Sequence, residues 1–110
     1  MTLFTNPSPV TKESAEKTFS SRDPMAICTA LVSLAFHEED WRWVQKRCLY
    51  FLESDDEDIS GLAATCLGHI ARIHRQLDKD VVVHALRSKL SNAKIAGRIE
   101  DALDDIDTFI

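Results

Sequence analysis

The sequence repeats a pattern of apolar and small residues at a spacing of about 36 positions, which restricts the folds open to it. The matched pairs are Ile59 with Ile95, Gly61 with Gly97, Leu67 with Leu103, and Ile70 with Ile106. Two helices per unit of this length are typical of a helical solenoid, in which each hairpin buries its apolar face against the next. We therefore predict an all-α fold, a short α-solenoid of about three helical hairpins. The alternative is a bundle whose helices merely have similar lengths.

Capping residues and apolar periodicity place the individual helices. Asp23 followed by Pro24 is a clear start signal, because Asp caps a helix and Pro fits its first position. Asp40 and Asn92 are the N-caps expected for the third and sixth helices, and the acidic run 54–58 is the expected loop before the fourth. The predicted helices span residues 11–19, 24–36, 41–53, 59–75, 79–90 and 93 to near the end. Residues 1–10, with two prolines, are predicted to be an extended lead-in, and 11–110 a single helical domain.

The fourth predicted helix has two sides without large polar residues. One side is apolar, and the other consists of small residues, namely Gly61, Ala64, Gly68 and Ala71. Small residues let a neighbouring helix approach closely, so a helix of this kind is expected to be packed on both sides. This pattern predicts that the fourth helix lies at the centre of the fold.

Charge and hydropathy narrow the class of partner. The net charge of −5 argues against direct nucleic-acid binding, which requires clustered Lys and Arg. The charge is compatible with a basic protein partner, and the alternative is that the chain is simply acidic, as many soluble proteins are. The longest uncharged stretch, 24–36, is too short to span a membrane, and no signal peptide is evident. We therefore expect a protein partner and neither nucleic acid nor membrane.

The residues that carry most enzyme chemistry are scattered along this chain. Cys28, Cys48 and Cys66 are odd in number and lie on apolar helix faces, which is typical of free thiols in a reducing, cytoplasmic compartment. His69 and His74 point in different directions from one helix, and no zinc spacing or phosphate-binding loop occurs. We expect no enzymatic activity, no metal site and no cofactor.

The segment from Asp58 to Ala71, DISGLAATCLGHIA, resembles the second helix of a HEAT repeat, with its alanines and its Leu-Gly pair. The wider stretch 41–110 is similar to small HEAT-like immunity proteins of bacterial polymorphic and contact-dependent toxin systems. The resemblance implies a HEAT-like solenoid and a cytoplasmic immunity protein that binds and neutralises a cognate toxin's C-terminal domain, often a nuclease. HEAT surfaces serve many roles, so a scaffolding or adaptor module in a protein assembly is the alternative. Residues 11–21 lack a strong apolar stripe, which leaves a complete first repeat open.

A polar strip on the fourth helix is the first candidate binding surface. The strip consists of Thr65, His69, Arg72 and Gln76. The repeat continues it at Thr29 and Ser33 on the second helix and at Asp101 and Asp105 on the sixth. The second helices of stacked hairpins line one surface, so these side chains are expected to face a partner together. The alternative is a solvated face with local ion pairs, such as Arg98 with Asp101 or Asp105.

The third helix supplies a second candidate surface. Trp43, Arg47 and Tyr50 lie opposite its expected core side, and these residue types are enriched at binding hot spots. The alternative is that the N-terminal segment or the first helix covers them.

Two acidic clusters form the third candidate. One is the loop that contains Asp55, Asp56, Glu57 and Asp58, and the other includes Asp101, Asp104 and Asp105 near the end of the last helix. Carboxylates at a helix C-terminus oppose the macrodipole, at about 0.3–1 kcal/mol each. Complementarity to a basic partner explains such a cost, and the alternative is a solvated end that keeps the protein soluble.

Overall fold

The computed structural model describes residues 9–110, and in this range it contains six helices and no strand. The helices are α1 (Lys12–Ser20), α2 (Pro24–His37), α3 (Trp41–Leu52), α4 (Glu57–His74), α5 (Lys79–Arg87) and α6 (Ala96–Phe109). The predicted all-α class is confirmed. Of the predicted lead-in, residues 1–8 lie outside the described residues. None of the helices described is long and apolar enough to cross a bilayer.

Short polar side chains start the first four helices. Thr11, Asp23, Asp40 and Asp56 each accept a hydrogen bond from a backbone N–H of the first turn. The predicted caps Asp23 and Asp40 are confirmed. The start of α4 lies two residues before the predicted position, because Asp56 and not a later residue of the acidic run accepts from the N–H groups of Asp58 and Ile59.

The end of α5 and the start of α6 differ from the prediction. Helix α5 ends at Arg87, three residues early, and α6 begins at Ala96, three residues late. Asn92 is not the N-cap of α6. Its side-chain oxygen accepts from the N–H of Lys94, and its carbonyl accepts from the N–H groups of Ile95 and Ala96. Asn92 therefore closes a turn in the connection.

Helix α4 lies at the centre, as predicted, and packs against α2, α3 and α6. Its apolar side is fully buried at Ala63, Cys66, Leu67 and Ile70. On its small-residue side, a Cβ built at Gly68 would stand 3.2 Å from the Cα of Ala102. The missing side chain thus lets the backbone of α6 lie directly on α4.

The odd-numbered helices run in the same direction as one another, and so do the even-numbered helices. Along α1 and α3 the contacts are Lys12 with Asp40, Glu16 with Arg47, and Phe19 with Phe51. Along α3 and α5 and their ends they are Gln45 with Asp78, and Glu53 with Lys89. Along α2 and α4 they are Cys28 with Asp58, and Ala35 with His74. The hydrogen-bonded partners are 28 to 39 positions apart. In each pair of helices, a residue further along the first helix contacts a residue further along the second, so the two helices run parallel.

One buried polar residue fixes α3 to the start of α5. The amide of Gln45 donates to Asp78 Oδ2 at 2.8 Å and accepts from the Asp78 N–H at 2.9 Å. Both ends of the buried amide are thereby satisfied, which avoids the cost of an unpaired polar group. The bond from Gln45 also holds the pKa of Asp78 below its ordinary value.

Candidate functional site

The polar strip of α4 forms a cluster with side chains of α2 and α6. Arg72 Nη2 donates to His69 Nδ1 at 2.6 Å, and the ring of Phe36 lies 5.1 Å from the imidazole. Asp105 reaches the same place from α6, because its Oδ2 lies over Gly68, the neighbour of His69. The structure therefore brings His69, Arg72 and Asp105 together, as the repeat predicted.

The cluster holds His69 in its neutral form. Arginine can only donate, so Nδ1 of His69 must be the unprotonated nitrogen. Burial, and then the charge of Arg72, lower the pKa of His69, while Asp105 acts in the opposite direction. The imidazole thus presents an Nε2–H donor at neutral pH. Thr65 is half-buried, and its hydroxyl donates within the helix to the carbonyl of Gly61.

Two carboxylates of α6 beyond this cluster have no partner among the described residues. Asp101 and Asp104 are exposed, and neither has a hydrogen-bond or ion-pair partner within residues 9–110. Arg98 pairs with neither Asp101 nor Asp105, so the ion pairs that the sequence offered as the alternative are not formed. Its side chain extends instead across α4, where a Cβ at Gly61 would stand 3.0 Å from Arg98 Cδ. The last helix therefore carries negative charge that this part of the chain does not neutralise.

The acidic loop before α4 divides into structural and exposed residues. Asp56 caps the helix, and Glu57 pairs with Lys94 at 3.2 Å. Asp55 and Asp58 are exposed, and their carboxylates have no side-chain partner in the described range. Only Asp55 and Asp58 are thus available to a partner without breaking an existing contact.

The two aromatic candidates of α3 have different surroundings. Trp43 is half-buried, with Lys12 Nζ 5.4 Å and the guanidinium of Arg47 5.6 Å from its ring. The first helix therefore covers part of Trp43, which was one of the alternatives that the sequence left open. Tyr50 remains 68% exposed, although its ring contacts Phe51 at 5.0 Å. An exposed aromatic of this size is therefore available for binding at the end of α3.

Tyr50 lies at the rim of an open groove of about 1120 Å³, which we call the α1–α3 groove. The groove is formed by the C-terminal ends of α1 and α3 and the N-terminal ends of α2 and α4. Phe19, Ile27, Phe51 and Ile59 supply its apolar lining. A second hollow of about 340 Å³ lies on α5 between Lys79 and Arg87. No group of three metal-ligating side chains is found in the range that the structure describes.

A solved structure contains a chain that is similar to this one over nearly its whole length. The crystal structure of a CDI complex from Cupriavidus taiwanensis LMG 19424 contains a chain that is 31% identical, with a TM-score of 0.87. The match covers 99% of this chain and 98% of the other. This chain belongs to the same family as that CDI-complex protein. No protein-family model matches the sequence, and neither does any curated protein.

The α1–α3 groove of this CDI-complex family member was not predicted from its sequence. Tyr50 was identified as a candidate, but Phe19 and Ile59 were assigned only to their own helices. A signal was present, since the start at Asp23-Pro24 and the acidic loop 54–58 mark the ends of neighbouring hairpins. Stacked hairpins bring such ends together, and the groove forms between them.

Proposed function

We propose that this chain is an immunity protein that binds and neutralises the C-terminal domain of a cognate toxin in the cytoplasm. The observation that carries the proposal is the full-length similarity to a chain of a CDI complex. We interpret CDI as contact-dependent growth inhibition, a toxin system of the kind that the sequence resemblance implied. A complex of this kind joins a toxin to its inhibitor, so a full-length relative is one or the other.

Charge favours the inhibitor over the toxin. A nuclease toxin has to hold a polyanion, and phosphate contacts are made by Lys and Arg. This chain has a net charge of −5, and the exposed carboxylates of α6 are unpaired in the described residues. Such a surface is complementary to a basic nuclease domain, which raises the association rate and selects the partner.

A HEAT-like stack of about three hairpins is part of the proposal. Its support is the direction of the helices, since α1, α3 and α5 run parallel, and so do α2 and α4. The pairs α1–α2, α3–α4 and α5–α6 contact each other as hairpins, and α2, α4 and α6 pack in that order. In such a stack, α4 and α6 present His69, Arg72 and Asp105 on one surface with Asp101 and Asp104 beside them.

Co-expression tests the proposal. The gene for the large toxin is expected directly upstream, and its C-terminal domain is induced in cells with or without this chain. We expect growth to stop without the chain and to continue with it, while an unrelated immunity protein fails to protect. If this chain alone arrests growth, it is the toxin component. If it neither arrests nor protects and instead co-purifies with cellular subunits, the scaffolding alternative holds.

A further inference from the structure

The α1–α3 groove combines an aromatic lining with an exposed aromatic rim. The rings of Phe19 and Phe51 belong to its lining and lie 4.9 Å apart, and Tyr50, also a lining residue, is 68% exposed. Met25, which follows the lining residue Pro24, is 79% exposed. Tyr and Met are both enriched at protein interfaces, where a large apolar body is buried when the partner binds.

Charged residues lie in and beside the groove. Arg22 stands on the turn between α1 and α2, in a left-handed backbone conformation (φ 62°), and has no ion-pair partner among residues 9–110. Arg47 is paired with Glu16 at 2.8 Å and contributes little net charge. The loop before α4 contributes Ser54 and Asp56 to the lining, and its Asp55 and Asp58 are exposed and unpaired in the described range. The groove is therefore bordered by a cation from the α1–α2 turn and by a loop that carries free carboxylates.

We propose that the α1–α3 groove receives a loop or helix end of the toxin domain. That segment carries a large apolar side chain, which packs against Tyr50 and Phe51, next to a Lys or Arg, which faces Asp55 and Asp58. The inference rests on the proposed function and adds, beside the carboxylates of α6, a second face that contacts the toxin. The opening of about 1120 Å³ exceeds one side chain and suits a short segment of a folded partner.

Charge complementarity selects this occupant. Within the lining, Glu16 is paired with Arg47 and Glu53 with Lys89, which leaves Asp56 against Arg22. The excess negative charge comes from Asp55 and Asp58, which flank Asp56 in the sequence and are exposed. A second copy of the same acidic chain would place like charges together, which is unfavourable. A basic toxin surface with a protruding apolar residue matches both the lining and the carboxylate side.

The test measures the affinity of this chain for the purified C-terminal domain of the upstream toxin. The toxin domain contains a substitution that inactivates it. We expect Tyr50→Ala to weaken binding by about tenfold or more, as for a hot-spot aromatic. Asp55→Lys with Asp58→Lys is expected to weaken binding and reduce its salt dependence. Val81→Ala on α5, where Val81 is 59% exposed, is the matched control and is expected to change Kd by less than about twofold. Thermal unfolding establishes that each variant is folded.

The outcomes separate this inference from the proposed function. If Tyr50→Ala and the charge reversal bind as the wild type does and still protect cells, the groove is not the interface, although the chain is an immunity protein. If the wild type neither binds nor protects, both proposals fail. If sedimentation experiments show that the wild type is a dimer and that Tyr50→Ala is a monomer, a second copy of this chain occupies the groove. That result also overturns the inference. A photoreactive benzophenone residue at position 50 is expected to crosslink to the toxin domain.

Discussion

Replacing Gly68 by alanine tests how closely α4 and α6 pack. A Cβ at position 68 would stand 2.9 Å from Asp105 Oδ2 and 3.2 Å from the Cα of Ala102. The carboxylate can rotate away at little cost. The Cα belongs to the backbone of α6, so the two helices have to move apart, and the fully buried side chains between them lose contact.

Two opposing contributions determine the size of the effect. Removing a glycine from a helix interior stabilises the fold by about 0.5–1 kcal/mol. Forcing an extra group into a closely packed contact costs about 1–3 kcal/mol. We therefore expect Gly68→Ala to lower the free energy of unfolding by about 0–2.5 kcal/mol, with a central value slightly above about 1 kcal/mol.

Gly97→Ala is the matched control. Gly97 is the second residue of α6, and a Cβ there meets nothing within 4 Å. This variant is expected to be as stable as the wild type or more stable by up to about 1 kcal/mol. Adding Asp105→Ala to Gly68→Ala removes the carboxylate contact and leaves the backbone contact, so the double variant separates the two.

Urea unfolding followed by far-ultraviolet circular dichroism measures all of these variants. The reasoning is refuted if Gly68→Ala is at least as stable as Gly97→Ala, because the helices would then lie further apart than the structure has them. If Asp105→Ala restores the whole loss, the carboxylate and not the backbone of α6 sets the limit.

Three further predictions concern the core, pH and charge. Leu67→Ala, at a fully buried position of α4, is expected to cost about 2–5 kcal/mol in urea unfolding, because a cavity remains. The pKa of His69 is lowered on folding, so the unfolded chain takes up a proton before the folded chain does as the pH falls. In urea unfolding between about pH 5 and 7.5, the free energy of unfolding should therefore fall as the pH drops below about 6.5. His69→Gln should make this pH dependence less steep. Asp101→Lys with Asp104→Lys should slow association with the toxin domain in stopped-flow measurements at low salt, and an unchanged rate would exclude α6 from the interface.

The helix starts show which local signals the sequence carries. At Asp23 and Asp40 a single side chain can reach the first turn, so cap and start coincide with the prediction. Before α4, four consecutive acidic residues compete, and only the backbone conformation at Asp56 selects one of them. Asn92 had an equally good cap signature, but its side chain closes a turn. Local chemistry therefore predicts a start only where one candidate is present.

The candidate site depends on tertiary placement that the repeat predicts only in part. The spacing of about 36 positions correctly predicted that Asp105 lies beside His69, because α4 and α6 run parallel. The same spacing matches Gly61 with Gly97, yet Gly61 lies under Arg98 and Gly97 is exposed, since no described helix packs outside α6. Which carboxylates are free, and whether α1 covers Trp43, follow from long-range ion pairs that local periodicity does not contain.

The most direct test of the account is a titration of the purified toxin domain's activity with this purified chain. If the chain is the cognate immunity protein, activity falls linearly and is abolished at an equimolar ratio, with the toxin and the chain eluting as one complex in size-exclusion chromatography. Full toxin activity at a several-fold excess of folded chain, with the two proteins eluting separately, would contradict the account.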